Sequence, residues 1–260
     1  MVFPEHIAGA IYDVDDTLLN NQPENDPLSN FHQISRLSAL HKVAVELGDD
    51  YTQLLEVQPQ ENYDSFALSP VHTVSGAFFT LLKNRGLVDG DVNPNHPVIA
   101  KLVELKNESY AELLESKGQP VAGAESFVSD FAVTFGIEDK NAIASTANAR
   151  DIKVFLKKYD LIHLFPDERI IDVAQVSHPK PHPEAFDKAF RSLGLHDSER
   201  AHVVAFEDDP RGMLSARKAG LYVCAITTRY SREELGRVEA RPDLIADSFA
   251  QFREYFKLTG

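Results

Sequence analysis

Two hydrophobic periodicities alternate along the 260 residues and divide them into three stretches. Residues 8–12 are a short apolar run that leads straight into Asp13, Asp15 and Asp16, then Thr17. The run is bounded by turn residues and too short for a helix, so it reads as a buried strand ending in carboxylates. Residues 20–31 are polar, contain two prolines and read as a linker. The next stretch has helical spacing. Ile34, Leu37, Leu40, Val43, Ala44 and Leu47 form a stripe closed by Gly48. Residues 49–68 show no clear period. Ser69-Pro70 opens a second expected helix over 71–82, with proline in its first turn. A third, over 97–116, carries Ile99, Leu102, Val103, Leu105, Tyr110, Leu113 and Leu114 and ends at Gly118 and Pro120.

From residue 121 short apolar runs alternate with helical stripes. Helices are expected over 124–135, 149–158, 183–193, 210–219 and 248–258, and strands over 142–145, 168–173, 202–206, 221–227 and 243–246. Ser231 followed by Glu234 is a capping box opening another short helix. Strands alternating with helices of this length imply right-handed crossovers and a doubly wound parallel α/β sheet. The opening strand is cut off from the others by the helical block. The expected organisation is therefore an α/β core of residues 1–19 and 121–260, with a helical domain, 20–120, inserted after the first strand.

In such a sheet, ligands sit at the carboxyl ends of the strands. Three later strands end in reactive chemistry. Residues 143–148, Ile-Ala-Ser-Thr-Ala-Asn, run into hydroxyls at a helix start, which suits either an anion or simple helix capping. Residues 178–183, His-Pro-Lys-Pro-His-Pro, hold Lys180 in a rigid loop; a fixed cation serves a phosphate or an acidic cluster, although a solvated loop lysine would look the same. The prolines rule out a regular helical face, so His178 and His182 are not read as a metal pair. The strand over 202–206 runs into Glu207, Asp208 and Asp209. Asp at a helix start is often only a cap, but three acids at a strand tip ask for more. If the two acidic clusters meet, they repel unless a cation joins them, and oxygen-only ligands favour Mg²⁺ over zinc or copper.

Composition narrows the partners. Lys plus Arg number 26 against 40 Asp plus Glu, a net charge of -14, which argues against nucleic acid or an anionic membrane as the main partner. The one cysteine, Cys224, lies in an apolar stretch and is expected to be buried and inert. The first apolar run is short and has no basic flank, so no signal peptide is read, and no stretch approaches a membrane span. A reducing, cytoplasmic setting fits.

The ordered set Asp13-x-Asp15-x-Thr17, Ser145 after a strand, Lys180 before a proline, and Glu207-Asp208 resembles the four motifs of the haloacid dehalogenase superfamily. Gly123, Lys180-Pro181-His182-Pro183-Glu184 and Phe206-Glu207-Asp208 resemble its branch containing β-phosphoglucomutase and small sugar-phosphate phosphatases. The resemblance implies Asp13 as nucleophile, forming an aspartyl-phosphate, and Asp15 as general acid and base, with Asp16 a turn residue. It implies Mg²⁺ held by Asp13, the carbonyl of Asp15, and Asp208, with Glu207 or Asp209 helping. Ser145 and the Thr146 amide would bind the phosphoryl group, with Asn148 also placed on the substrate, and Lys180 would offset its charge and orient Asp13. Dehalogenases lack the second aspartate, so phosphoryl transfer to water from a small phosphorylated metabolite is expected.

In this family a helical insertion is a mobile cap, which would place hinges at 20–31 and 118–123. Lys106-Asn107-Glu108-Ser109-Tyr110 resembles a mutase stretch whose lysine reaches substrate, which implies Lys106 as a substrate-binding residue; a solvated helix lysine would look the same. The mutase's cap arginine has no counterpart in residues 71–82, which favours a phosphatase over a sugar-phosphate mutase. A phosphate-binding sensor without turnover is disfavoured, because no catalytic position is replaced.

Overall fold

The structure is a computed structural model that describes residues 4, 6–24, 26–71 and 73–258. Residue 25 of the expected linker and residue 72 of the expected 71–82 helix lie outside the described residues. In chain order the elements are β1 (Gly9–Tyr12), β2 (Leu19–Asn20), α1 (Phe31–Leu47), α2 (Pro59–Ala67), α3 (Val74–Asn84), α4 (Pro97–Lys117), β3 (Gln119–Pro120), α5 (Ala124–Phe135), β4 (Asn141–Ala144) and α6 (Ala149–Lys158). Then come β5 (Ile170–Ile171), α7 (Glu184–Ser192), β6 (Val203–Glu207), α8 (Pro210–Lys218), β7 (Tyr222–Ile226), α9 (Arg232–Arg237), β8 (Leu244–Ala246) and α10 (Phe249–Phe256). Contacts separate a helical unit, Asn21–Gly118, from a unit that runs to Asn20 and resumes at Gln119.

The second unit is built on a six-stranded sheet in the order β5-β4-β1-β6-β7-β8, parallel throughout. Both faces are covered, as a parallel sheet requires. Register pairs Ile11 with Ala205 and Tyr12 with Phe206, and side chains alternate between faces. Ile11 and Ala205 face a cluster with Phe186 and Phe190 of α7 and Met213 and Ala216 of α8. Tyr12 stacks on Phe206 at 5.0 Å on the other face, where Phe127 and Phe131 of α5 and Phe249, Phe252 and Phe256 of α10 form one aromatic cluster. β1 therefore lies mid-sheet, flanked by β4 and β6, where the direction of winding reverses. That places the acids after β1 in the crevice at the switch point.

The helical unit packs Leu40 and Val43 of α1, Phe78, Phe79 and Leu82 of α3, and Ile99 and Leu102 of α4 into one core. Three expectations need correction. Residues 49–68 hold a 3-10 segment, Asp49–Glu56, and α2. The latter shows no apolar period because its buried positions, Asn62 and Ser65, are polar: Asn62 serves Arg36 and Gln33 of α1 by hydrogen bonds. Helix α3 starts later than the proline suggests, because Thr73 caps it by accepting from the Gly76 amide. The stretch 20–31 is tied down at its start. Asn21 is buried, takes a 2.9 Å bond from Tyr110 and accepts the Phe31 amide. Next to it, β2 pairs antiparallel with β3 where the chain leaves and re-enters the sheet unit. Cys224 is fully buried in β7, and burial pushes its thiol up.

Candidate active site

The tips of β1 and β6 lie side by side because the Asp13 amide donates to the Phe206 carbonyl, extending their ladder by one residue. Asp13 is buried. After it the chain folds back at once: the amides of Thr17, Leu18 and Leu19 all donate to the Val14 carbonyl. Asp16 takes a left-handed φ of 61° in this turn, a conformation that aspartate tolerates better than most residues. Its carbonyl accepts the Thr228 hydroxyl, so it is a turn residue held from both sides. Asp15 precedes it, half-buried, and bridges to Leu19.

Lys180 reaches this tip from a loop 167 residues away in sequence. Its Nζ donates to Asp13 Oδ1 at 2.7 Å and to Glu207 Oε1 at 2.6 Å, over the ring of Phe186. The lysine side chain is only 7% exposed. Burial works against its charge, but Asp13 and Glu207 outweigh that and hold the ammonium above its ordinary value. The Lys180–Pro181 peptide is cis. The loop is clamped by Glu184, which accepts the amides of Ser177 and His178 and the Lys188 ammonium.

Glu207 is used on both oxygens, since Oε2 accepts the amides of Asp208 and Asp209 at 3.0 Å each. Gly212 makes room for it: a Cβ there would lie 1.7 Å from Glu207 Oε1. Asp209 is the N-cap of α8, accepting the Arg211 amide. Asp208 is different. Thr17 donates to its Oδ1 at 3.2 Å, but its Oδ2 is buried with no hydrogen-bond partner. Burial pushes the Asp208 carboxyl well up, and the charges of Glu207 and Asp13 push it further. Burial likewise raises Asp13, with Lys180 pulling back and Glu207 pushing up.

Oxygens of Asp13, Glu207 and Asp208 lie within 4.8 Å of one another. Three buried carboxylates with one lysine between two of them, and an orphaned oxygen on the third, fit a hard divalent cation such as Mg²⁺. Asp13 and Asp208 present carboxylate oxygens for it, and Glu207, whose oxygens already accept from Lys180 and two backbone amides, stands beside them.

Ser145 follows β4 and is buried; its amide donates to the Ile171 carbonyl and its hydroxyl accepts the Ala147 amide. Thr146 is exposed. Asn148 caps α6, accepting the Asp151 amide and donating to the Asp151 carboxylate, so both ends of its amide serve the helix start. Lys106 lies in the helical unit, buried on α4, with its ammonium 4.3 Å over the Tyr110 ring. The His178 and His182 rings lie 4.6 Å apart, tilted by 32°, beside Glu184, whose oxygens are already taken.

Arg229 went unread in the sequence. It follows β7 and lies 3.7 Å from Asp16, 3.9 Å from Asp208 and 3.7 Å from Asp209. A single arginine after two threonines carries no motif, so nothing short of the sheet order could have found it.

A family model for haloacid dehalogenase-like hydrolases matches residues 88–226, more than half of the chain. The chain belongs to the haloacid dehalogenase-like hydrolase family. Glycerol-1-phosphate phosphohydrolase 1 of Saccharomyces cerevisiae is 31% identical over 102 residues, 38% of this chain and 40% of that protein. The chain spans about half the length, or less, of the first curated relatives it matches. Among solved structures, a family IA hydrolase of this superfamily from Entamoeba histolytica superimposes with a TM-score of 0.69 at 20% identity, covering 94% of each chain. CbbY from Rhodobacter sphaeroides in complex with phosphate gives 0.67 at 22% identity, covering 95% of this chain and 96% of that one. At these identities the haloacid dehalogenase-like fold is what is shared.

Proposed function

We propose that this chain is a Mg²⁺-dependent phosphatase that hydrolyses a small phosphorylated metabolite through an aspartyl-phosphate. The observation that carries the reading is the buried Lys180 bridging Asp13 and Glu207 beside an unpartnered Asp208 oxygen. The names of relatives such as the glycerol-1-phosphate phosphohydrolase support a polyol or sugar monophosphate as the substrate class.

In this reading Asp13 attacks phosphorus and forms an acyl phosphate, while the substrate alkoxide leaves with a proton from Asp15. Asp15 then takes a proton from water, the hydroxide attacks phosphorus, and the bond to Asp13 breaks, releasing inorganic phosphate. Lys180 holds Asp13 in one orientation and favours its charged form against the cost of burial. Ser145 and the Thr146 amide would face the phosphoryl oxygens. Asp13, Asp208 and the carbonyl of Asp15 would hold Mg²⁺, which would supply positive charge against the phosphoryl group. The helical unit would act as the cap that excludes water and selects substrate, with Lys106 a candidate for that selection.

Purified protein with Mg²⁺ should release phosphate from at least one member of a panel of sugar phosphates, polyol phosphates, nucleotides and phosphoglycolate. The Asp13→Asn variant should be folded and inactive. A folded variant that turns over at an appreciable rate would remove Asp13 from the nucleophile role.

A further inference from the structure

At the other ends of β1 and β6 lies a second cluster with different chemistry. His6 precedes β1, while Glu199 and His202 belong to the 3-10 segment Asp197–His202 that leads into β6. The Ala8 amide donates to the His202 carbonyl at 2.9 Å, so the two segments are hydrogen-bonded neighbours. His6 Nε2 is 2.9 Å from Glu199 Oε2, and His202 Nδ1 is 3.5 Å from the same oxygen. The two imidazoles lie 4.1 Å apart, tilted by 32°.

Three features separate this cluster from an ordinary surface pair. Its donor atoms converge: all three lie within 4.8 Å of one another. Two ligand atoms each about 2.1 Å from one ion are roughly 3.0 Å apart at a right angle and roughly 3.4 Å apart in a tetrahedron, close to the spacings about Glu199. Next, His202 Nδ1 is sealed from solvent with no hydrogen-bond partner. Finally, no lysine or arginine among the described residues pairs with Glu199; its neighbours in the cluster are His6 and His202. The superficially similar trio His178, His182 and Glu184 fails on that last point, because Lys188 and two backbone amides already occupy Glu184.

We propose that His6, Glu199 and His202 form a second metal site, for a borderline divalent ion of the Zn²⁺ class, with water completing the coordination. Two imidazoles and one carboxylate suit Zn²⁺ or Co²⁺ and are poor ligands for Mg²⁺, so the site is chemically distinct from the all-oxygen cluster at the strand tips. His6 is 57% exposed, which leaves the ion a way in. The ion would tie together the starts of the two strands whose far ends carry Asp13 and Glu207. Its role is structural: it binds the folded chain and not the unfolded one, and so raises stability.

The full chain, held in excess Mg²⁺ at near-neutral pH, is titrated with Zn²⁺ by calorimetry and with Co²⁺ by visible absorption. One ion per chain is expected, with a ligand-field band for Co²⁺ and a higher Tm in Zn²⁺. His6→Ala, which changes an exposed side chain, should weaken binding at least tenfold and abolish the Tm rise; Glu199→Gln should do the same. Mg²⁺-dependent turnover should be unchanged in both. Equal binding by wild type and both variants, no binding at all, or a loss of binding in His178→Ala/His182→Ala instead would overturn the assignment.

Discussion

Replacing Gly212 with alanine tests whether the Glu207 carboxylate organises the site. A Cβ at position 212 would lie 1.7 Å from Glu207 Oε1 and 2.0 Å from its Cδ, far inside the ~3.5 Å of a van der Waals contact. Both partners of the clash are fixed. Gly212 sits inside α8, and Glu207 closes β6 with a side chain that makes three polar contacts, to Lys180 and to the amides of Asp208 and Asp209. The carboxylate must move and lose part of that set. Hydrogen bonds to a charged group contribute about 1.5–3 kcal/mol each. Breaking one side of a buried ion pair costs about 3–5 kcal/mol. Against this, alanine is the better helix former by about 1 kcal/mol. The balance is a loss of about 2–4 kcal/mol, or roughly 5–15 °C in Tm for a protein of this size.

Urea and thermal unfolding read the loss directly. The control is Gly236→Ala in α9, where a Cβ meets nothing within 4 Å; that change should be neutral or stabilise by up to about 1 kcal/mol. Both variants gain helix propensity, so only the contact with Glu207 separates them. If Gly212→Ala proves as stable as Gly236→Ala, the carboxylate has room to move without loss, and its part in fixing Lys180 is refuted.

Two further outcomes follow from the charges around the strand tips. Arg229 stands 3.9 Å from Asp208 and is 37% exposed; removing it with Arg229→Ala should tighten Mg²⁺ binding by about 1 kcal/mol, roughly fivefold, after allowance for solvent screening. Calorimetric Mg²⁺ titration checks this, and an unchanged or weaker affinity would show that the arginine does not compete for the site. Glu184 is held down to about 2 from an ordinary 4.5, first by Lys188 and then by the Ser177 amide. Its contribution to stability is therefore full above a pH of 4.5 and lost as pH falls toward 2. Glu184→Gln should flatten that limb of the stability–pH curve, measured by urea unfolding across it; an unaltered slope would contradict the assignment.

The features legible in the sequence share one physical property: they are written in local pattern. β1 is readable because an apolar run breaks abruptly into carboxylates, and α1 and α4 because their stripes are apolar. The doubly wound parallel class of the sheet is readable because strands alternate with helices of crossover length, whereas the strand order is not. Features resting on a distant partner were not legible. α2 turns polar residues inward because Arg36 and Gln33 of α1 wait there, so its period is invisible to hydropathy. β5 is cut to two residues, Ile170–Ile171, although the apolar run suggests six. Asn148 reads equally as a ligand to substrate or a cap, and only the bonds with Asp151 show that its side chain serves the helix.

Charge pairing at the strand tips carries the reasoning one step beyond anything the sequence order could supply. The order shows that carboxylates gather; it does not show which of them lacks a counterion. Asp13 and Glu207 share Lys180. Asp209 has the α8 amide and the side chain of Arg211. Asp16 has Arg229 at 3.7 Å and a role in the turn. Asp208 has one hydroxyl, a guanidinium no nearer than 3.9 Å and a sealed second oxygen. A buried carboxylate left in that state is costly enough to stay protonated or to recruit a cation. A lysine or arginine placed there would have balanced the charge permanently. In the proposed phosphatase, a small, exchangeable divalent ion at that position would keep positive charge available for an incoming phosphoryl group, and so the incompletely paired Asp208 is the residue on which the expected metal requirement turns.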